Sequence, residues 1–194
     1  SAEVDAALLN QFDCYACNNN EMERISQFNS PSTMIGLFHE PVEKKFNPNE
    51  RILVLESIQD PGNLGTIIRT ADWFGIKQMV VSVDTAGWYN PKVLQSTMGS
   101  CFRVNIHTME LDQLLASNQK SSKPLPVYGA LLSGKSIHGL QLEAANFILI
   151  GNESKGIREN LMPFISHPIS IPRTGEAESL NAAVATGIIL ANAK

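Results

Sequence analysis

The chain has 194 residues, 43% of them hydrophobic and 18% charged, with a formal net charge of -4 at pH 7. That is enough for one well-buried core plus a short appendage, and no apolar run approaches the roughly 20 residues needed to cross a bilayer. The acidic balance gives no global attraction for nucleic acid, so any such contact has to come from a local patch. Three cysteines, an odd number, argue against a disulfide scaffold, and with no basic-then-apolar leader at the amino end a reducing, cytosolic setting is the default.

Residues 1–48 differ in texture from the rest, and a short helix over 21–28, a strand over 34–38 and a polar Pro/Asn linker over 44–50 are expected there. This is too little for a self-sufficient domain and reads as the end of something larger. Cys14 and Cys17 form a C-x-x-C, but no second ligand pair and no βαβ pattern accompany it, so neither zinc nor thiol redox chemistry is indicated. Cys101 reads as a small buried residue. His39, His107, His138 and His167 are scattered without an i, i+4 pair, which leaves no metal site to propose.

From Arg51 onward strands alternate with helices. Strands are expected over 52–55, 79–83, 102–106, 127–132, 147–150 and 168–171, and helices over 64–75, 91–99 and 111–118, with an exposed turn over 119–124. The first run, ILVL, is continuously apolar, as suits a parallel strand covered on both faces. The pattern predicts an α/β fold with a mostly parallel sheet and helices on both faces.

Three polar clusters follow strands, over 63–69, 151–156 and 171–181, and strand ends of this kind form the ligand-binding edge of open α/β sheets. Asn63 stands at a helix start, where its side chain is expected to cap free N–H groups. Arg69, six residues on, falls about 120° around that helix and reaches an anion at the helix start only by extending; its alternative is a surface salt bridge. The cluster GNESKG lacks the phosphate-loop order, and no G-x-G-x-x-G follows the first strand, which disfavours nucleotide-binding enzymes of those two kinds. Glu153 is the one acid there placed to accept a hydrogen bond or hold a neighbouring loop, a solvated turn glutamate being the alternative. Ser179 is expected to cap a helix over 180–193, whose Ala182, Ala183, Ala185, Gly187 and Ala191 suit close packing against another helix or a partner chain.

Taken together, NLGTIIRTADWFG, ILIGNESKG and ISIPRTGEAESLNAAVATGIIL resemble, in order and spacing, the three motifs of the SpoU-type RNA ribose 2'-O-methyltransferases of the SPOUT superfamily. The resemblance runs over 51–194 and implies a parallel α/β sheet with a C-terminal trefoil knot, S-adenosylmethionine as cofactor and a homodimer acting on rRNA or tRNA. It assigns Arg69 a central catalytic role with Asn63, Glu153, Ser179 and Asn181 in support. It also gives Gly151, Ile171 and Leu180 main-chain contacts to the cofactor, with Leu131 and the VYGALL segment lining the adenine pocket. Residues 49–194 would be the catalytic domain, and residues 1–48 the C-terminal remnant of an RNA-binding domain with its linker. No membrane or metal partner is implied. Ser154 stands where glycine is common, and Arg173 where an apolar residue is frequent. The rival expectation is a non-catalytic RNA-binding or assembly protein with the same fold.

Overall fold

The computed structural model describes residues 11–40, 42 and 44–193, and the chain divides into two units, Ser1–Pro41 and Val42–Lys194. In the first, α1 (Asn19–Ile25) begins at a capping box: Asn18 accepts from the Glu21 main chain while Glu21 accepts from the Asn18 main chain. This box starts the helix two residues before the expected 21, and Ser26, in an extended conformation, ends it early. The strand expected over 34–38 does not form. Its apolar residues are exposed, Leu37 fully so, and no strand among the described residues of this unit pairs with it, without which an isolated strand gains nothing.

The second unit is a six-stranded sheet in the order β3-β2-β1-β5-β4-β6, with every pair parallel. The strands are β1 (Arg51–Leu55), β2 (Gln78–Val81), β3 (Asn105–Thr108), β4 (Val127–Ser136), β5 (Asn146–Ile150) and β6 (His167–Ser170). The helices are α2 (Pro61–Trp73), α3 (Pro91–Thr97), α4 (Leu111–Gln119) and α5 (Ala182–Asn192). Period-two alternation divides the core between the two faces. Leu53 and Leu55 pack with α2, α3 and α5 through Ile67, Val93 and Leu190, while Ile52 and Val54 pack with α4 through Leu111 and Leu115. Helices therefore cover both faces, as the apolar run of β1 predicts. Among the described residues no helix is long and apolar enough to cross a membrane.

Several boundaries differ from expectation, the helix expected over 64–75 running Pro61–Trp73 among them, and three have clear local reasons. The strand expected over 102–106 starts at Asn105, because α3 ends at a left-handed Met98 and Ser100–Phe102 form a turn of 3-10 helix. There Arg103 donates from Nε to Asp72 at 2.8 Å. The fourth strand runs on to Ser136 with a bulge, Ala130 and Lys135 both facing Ile169 of β6. The last helix begins at Ala182 with Asn181, not Ser179, as its cap.

β1 is flanked by β2 on one side and β5 on the other, whereas the chain runs β1, β2, β3 outward before returning to β4 and β5. The β1–β5 boundary is thus a topological switch point, where the connections leaving neighbouring strands diverge and open a crevice at the carboxyl edge.

Gly65 on α2 allows the close approach of α3: a Cβ there would lie 2.4 Å from Ser96 Cβ and 2.7 Å from the Val93 carbonyl oxygen. Helix propensity alone would favour alanine by about 1 kcal/mol, but overpacking a rigid main-chain contact costs about 1–3 kcal/mol. Gly65→Ala is expected to lower the urea midpoint with an unchanged m-value; a raised midpoint would show that α3 yields freely.

Candidate functional site

The three polar clusters meet at the carboxyl edge. Asn63 is not the helix cap expected of it: Asp60 caps α2, accepting from the Asn63 main chain at 2.7 Å. This frees the Asn63 side chain to donate from Nδ2 to Glu153 Oε1 at 2.7 Å and to accept at Oδ1 from Asn181 Nδ2 at 2.9 Å. Asn181 Oδ1 in turn accepts from the main chains of Ala183 and Val184. The direction of the relay follows from its far end. The free N–H groups at the start of α5 demand an oxygen, so Asn181 must present its NH2 to Asn63, and Asn63 must present its own to Glu153. Glu153 is held as an acceptor.

Arg69 is exposed on α2 and its side chain makes no hydrogen bond or ion pair among the described residues, so the salt bridge considered for it is not formed. Ser179 and Leu180 lie exposed in the loop before Asn181. Among the described residues, the main-chain groups of residues 172–180 make no hydrogen bond to other main chain, which leaves most of them available to a ligand or solvent. Arg173 folds over this loop, donating to the Ala177 carbonyl at 3.2 Å.

Leu131, Gly151 and Ile171 sit at the ends or bulge of adjacent strands β4, β5 and β6, all partly buried. At Gly151 a Cβ would lie 2.4 Å from the Gly156 main chain, so only glycine permits the tight loop closed by the Asn152–Gly156 bridge. The bulge of β4 approaches β6 just as closely, Ser170 Oγ donating to the Gly134 carbonyl at 2.8 Å.

At the β1–β5 switch point lies a cleft of about 440 Å³ lined by Ser57, Gln59, Asp84, Glu153, Lys155 and Arg158, with Glu56 beneath. Glu56 is 0% exposed. It accepts from the Arg158 main chain at 2.9 Å and from the Arg158 guanidinium, and that bond raises the Arg158 pKa. Ser57 has φ 51, a left-handed conformation that costs about 1–2 kcal/mol. Its polar groups are all engaged: its N–H donates to Ser82 Oγ at 2.8 Å, its hydroxyl donates to Asp84, and its carbonyl accepts from Asn152 Nδ2 at 2.7 Å. The Ser57 hydroxyl, then the Ser82 hydroxyl, holds the Asp84 carboxyl below the ordinary carboxylate range.

Sequence reasoning passes over Glu56, Ser57, Asp84, Asn152 and Arg158. Glu56 and Asp84 each follow an apolar strand run closely, and that position is the signal available in the sequence. The sulfur residues play no part: Cys14 and Cys17 are free and exposed, Cys101 free and buried. Among the described residues no group of three or more His, Cys, Asp and Glu could hold a metal ion.

The family model described as "SpoU rRNA Methylase family" matches residues 50–191. The chain is 31% identical over 178 residues to the Bacillus subtilis 23S rRNA (guanosine(2553)-2'-O)-methyltransferase RlmP, covering 91% of this chain and 71% of that protein. It spans 54% and 56% of the length of two further relatives. A TrmH-family protein from Porphyromonas gingivalis has a similar structure, with a TM-score of 0.81 at 30% identity over 96% of this chain and 78% of that one. So does an AdoMet-bound rRNA methyltransferase from Sinorhizobium meliloti, with a TM-score of 0.75 at 27% identity over 90% and 69% of the respective chains.

Asn63→Asp tests the relay. It places a second carboxylate against Glu153, so the pair must share a proton and one pKa rises above the ordinary range. A raised folded-state pKa stabilises below the unfolded value and loses that contribution as pH rises through the folded one. The variant is therefore expected to be less stable than the parent at pH 7, with the gap in urea midpoint narrowing toward pH 5; a gap independent of pH would rule out the close pairing.

Proposed function

The chain belongs to the SpoU rRNA Methylase family, and from that premise we propose that it is an S-adenosylmethionine-dependent methyltransferase acting on a ribose 2'-hydroxyl of rRNA or tRNA in the cytoplasm. The observation that carries this reading is the Glu153–Asn63–Asn181 relay, which joins the three motif clusters in one polar site. Partly buried Leu131 and Ile171, exposed Leu180 and the narrow turn at Gly151 suit the cofactor, with main-chain groups of the 172–180 loop that bond no other main chain to receive it. Leu131, Gly151, Ile171 and Leu180 would hold it there, and its sulfonium supplies the methyl group.

What the chain itself contributes is orientation and charge. An un-ionised hydroxyl is a poor nucleophile and must be held in line while its proton is accepted. Glu153 has one oxygen occupied by Asn63 and keeps the other to accept from the ribose. Arg69 is free to extend. Deprotonating an arginine near pH 7 costs roughly 7 kcal/mol at about 1.36 per unit from about 12.5, so Arg69 acts as a cationic fork on the phosphate beside the target ribose. Ser179 and Asn181 flank the reacting ribose from the loop before α5.

Two finer readings belong to the same proposal. The chain forms a C-terminal trefoil knot, a reading supported by contacts between the β4–β5 connection and the end of α5: His138 lies 3.4 Å from Asn192, and Arg51 donates both to the Ala193 carbonyl at 2.5 Å and to the Glu143 carbonyl at 3.4 Å. It also forms a homodimer through α5. One face of that helix is spent inside the subunit, where Ala182, Ala183, Ile189 and Leu190 are buried and Gly187 faces Thr70 of α2. Val184 (51% exposed), Ile188 and Ala191 form an outward apolar stripe at i, i+4 and i+7. The Ser1–Pro41 unit is assigned to substrate selection.

Calorimetry with S-adenosylhomocysteine is expected to show micromolar binding, about -8 kcal/mol; its absence in folded protein removes the cofactor reading. With an RNA substrate, Arg69→Lys is expected to lower kcat/KM by about 100-fold or more without weakening S-adenosylhomocysteine; near-full turnover sinks the fork. Val184→Glu is expected to convert a dimer to a monomer in light scattering, and an unchanged mass would move the interface elsewhere.

A further inference from the structure

We propose that the cleft at the β1–β5 switch point is the subsite for the base of the methylated nucleotide, and that it selects guanine through Asp84. The proposal rests on the methyltransferase reading and names the part of the RNA that this cleft receives.

Four observations carry it. The cleft shares a wall with the polar site: Glu153, fixed by Asn63, lines it, so a ribose held at Glu153 has its base within reach of the cleft. Its volume of about 440 Å³ lies in the range of small-ligand sites, about 300–1,000 Å³.

Its charge excludes a phosphate. Three carboxylates, Glu56, Asp84 and Glu153, stand against two cations, Lys155 and Arg158, and Arg158 is already bonded to Glu56 and 3.9 Å from Asp84. An anion gains nothing from such a lining, whereas a neutral heterocycle with both donors and acceptors finds partners.

The lining is also rigid before any ligand arrives. Ser57 is held in its left-handed conformation by bonds to Ser82, Asp84 and Asn152. Asp84 is fixed by two hydroxyls. Strain held in this way clusters at active sites and ligand clamps.

Guanine is the base that matches this lining. Its O6 and N7 accept hydrogen bonds, which Lys155 supplies, and its ring N–H and exocyclic amine donate side by side, which a carboxylate accepts bidentately. Unstacked RNA bases are read on these edges. Asp84, partly exposed at 41% of its side chain, is the carboxylate with room to accept; Glu56 is buried and occupied by Arg158. Gln59, exposed on the rim, supplies an amide.

The test titrates the full chain, saturated with S-adenosylhomocysteine, with the 5'-monophosphates of guanosine, inosine, adenosine, cytidine and uridine, following amide chemical shifts. Inosine lacks only the exocyclic amine. The expected result is a Kd for guanosine monophosphate about five- to tenfold below that for inosine monophosphate, the net effect of one hydrogen bond. Asp84→Asn should abolish the difference, and the rim variant Gln59→Ala, which threatens no buried contact, should weaken guanosine monophosphate binding. Equal Kd values, no nucleotide binding by protein that takes up S-adenosylhomocysteine, or a guanine preference that survives both substitutions overturns the subsite and leaves the methyltransferase reading standing. Failure to take up S-adenosylhomocysteine removes that reading, and the subsite with it.

Discussion

The start of α5 governs the polar chemistry of this protein. Its free N–H groups orient Asn181, Asn181 orients Asn63, and Asn63 orients Glu153. The partners are 118 and 90 residues apart, so the relay exists only when β1, β5 and the loop after β6 reach the same edge of the sheet. An amide has one donor end and one acceptor end, and fixing either fixes both. The helix terminus thus sets a direction that is transmitted without loss to a carboxylate three residues past another strand. Each bond contributes only about 1 kcal/mol net, but together they select one arrangement of three loops.

Parallel pairing makes this convergence possible. All six strands point the same way, so every strand-to-helix loop emerges at one edge. The reversal of order at β1 and β5 opens a crevice at that edge, and Glu153 lines it. Across β4, β5 and β6 glycine stands at Gly151 and Gly134, where the chain passes closest. The recess at β1, β2 and β5 is lined by charges and hydroxyls held in fixed positions.

Much of this was legible in the residues. Apolar runs located the strands, proline and glycine bounded the helices, and the three ordered motifs identified the family and named Asn63, Arg69, Glu153, Ser179 and Asn181. The misses were local. Cap assignment by residue type chose Asn63 and Ser179 where Asp60 and Asn181 serve, because several candidates stood within one turn and only the backbone conformation decides among them. The expected strand over 34–38 had the composition of a strand but nothing to pair with.

The sequence by itself determined the α/β class, the two-sided burial of the sheet and the identity of the motif residues, since all of these follow from short-range patterns of apolar and polar side chains. Only the tertiary structure decided what those residues touch: that Asn63 serves Glu153 rather than its own helix, that the Arg69 side chain stands free, and that Glu56, Ser57, Asp84 and Arg158 line one cleft. The physical reason is that periodicity is local, whereas a hydrogen bond between residues 90 or more apart depends on the order of strands in the sheet. That order is set by how the whole core packs.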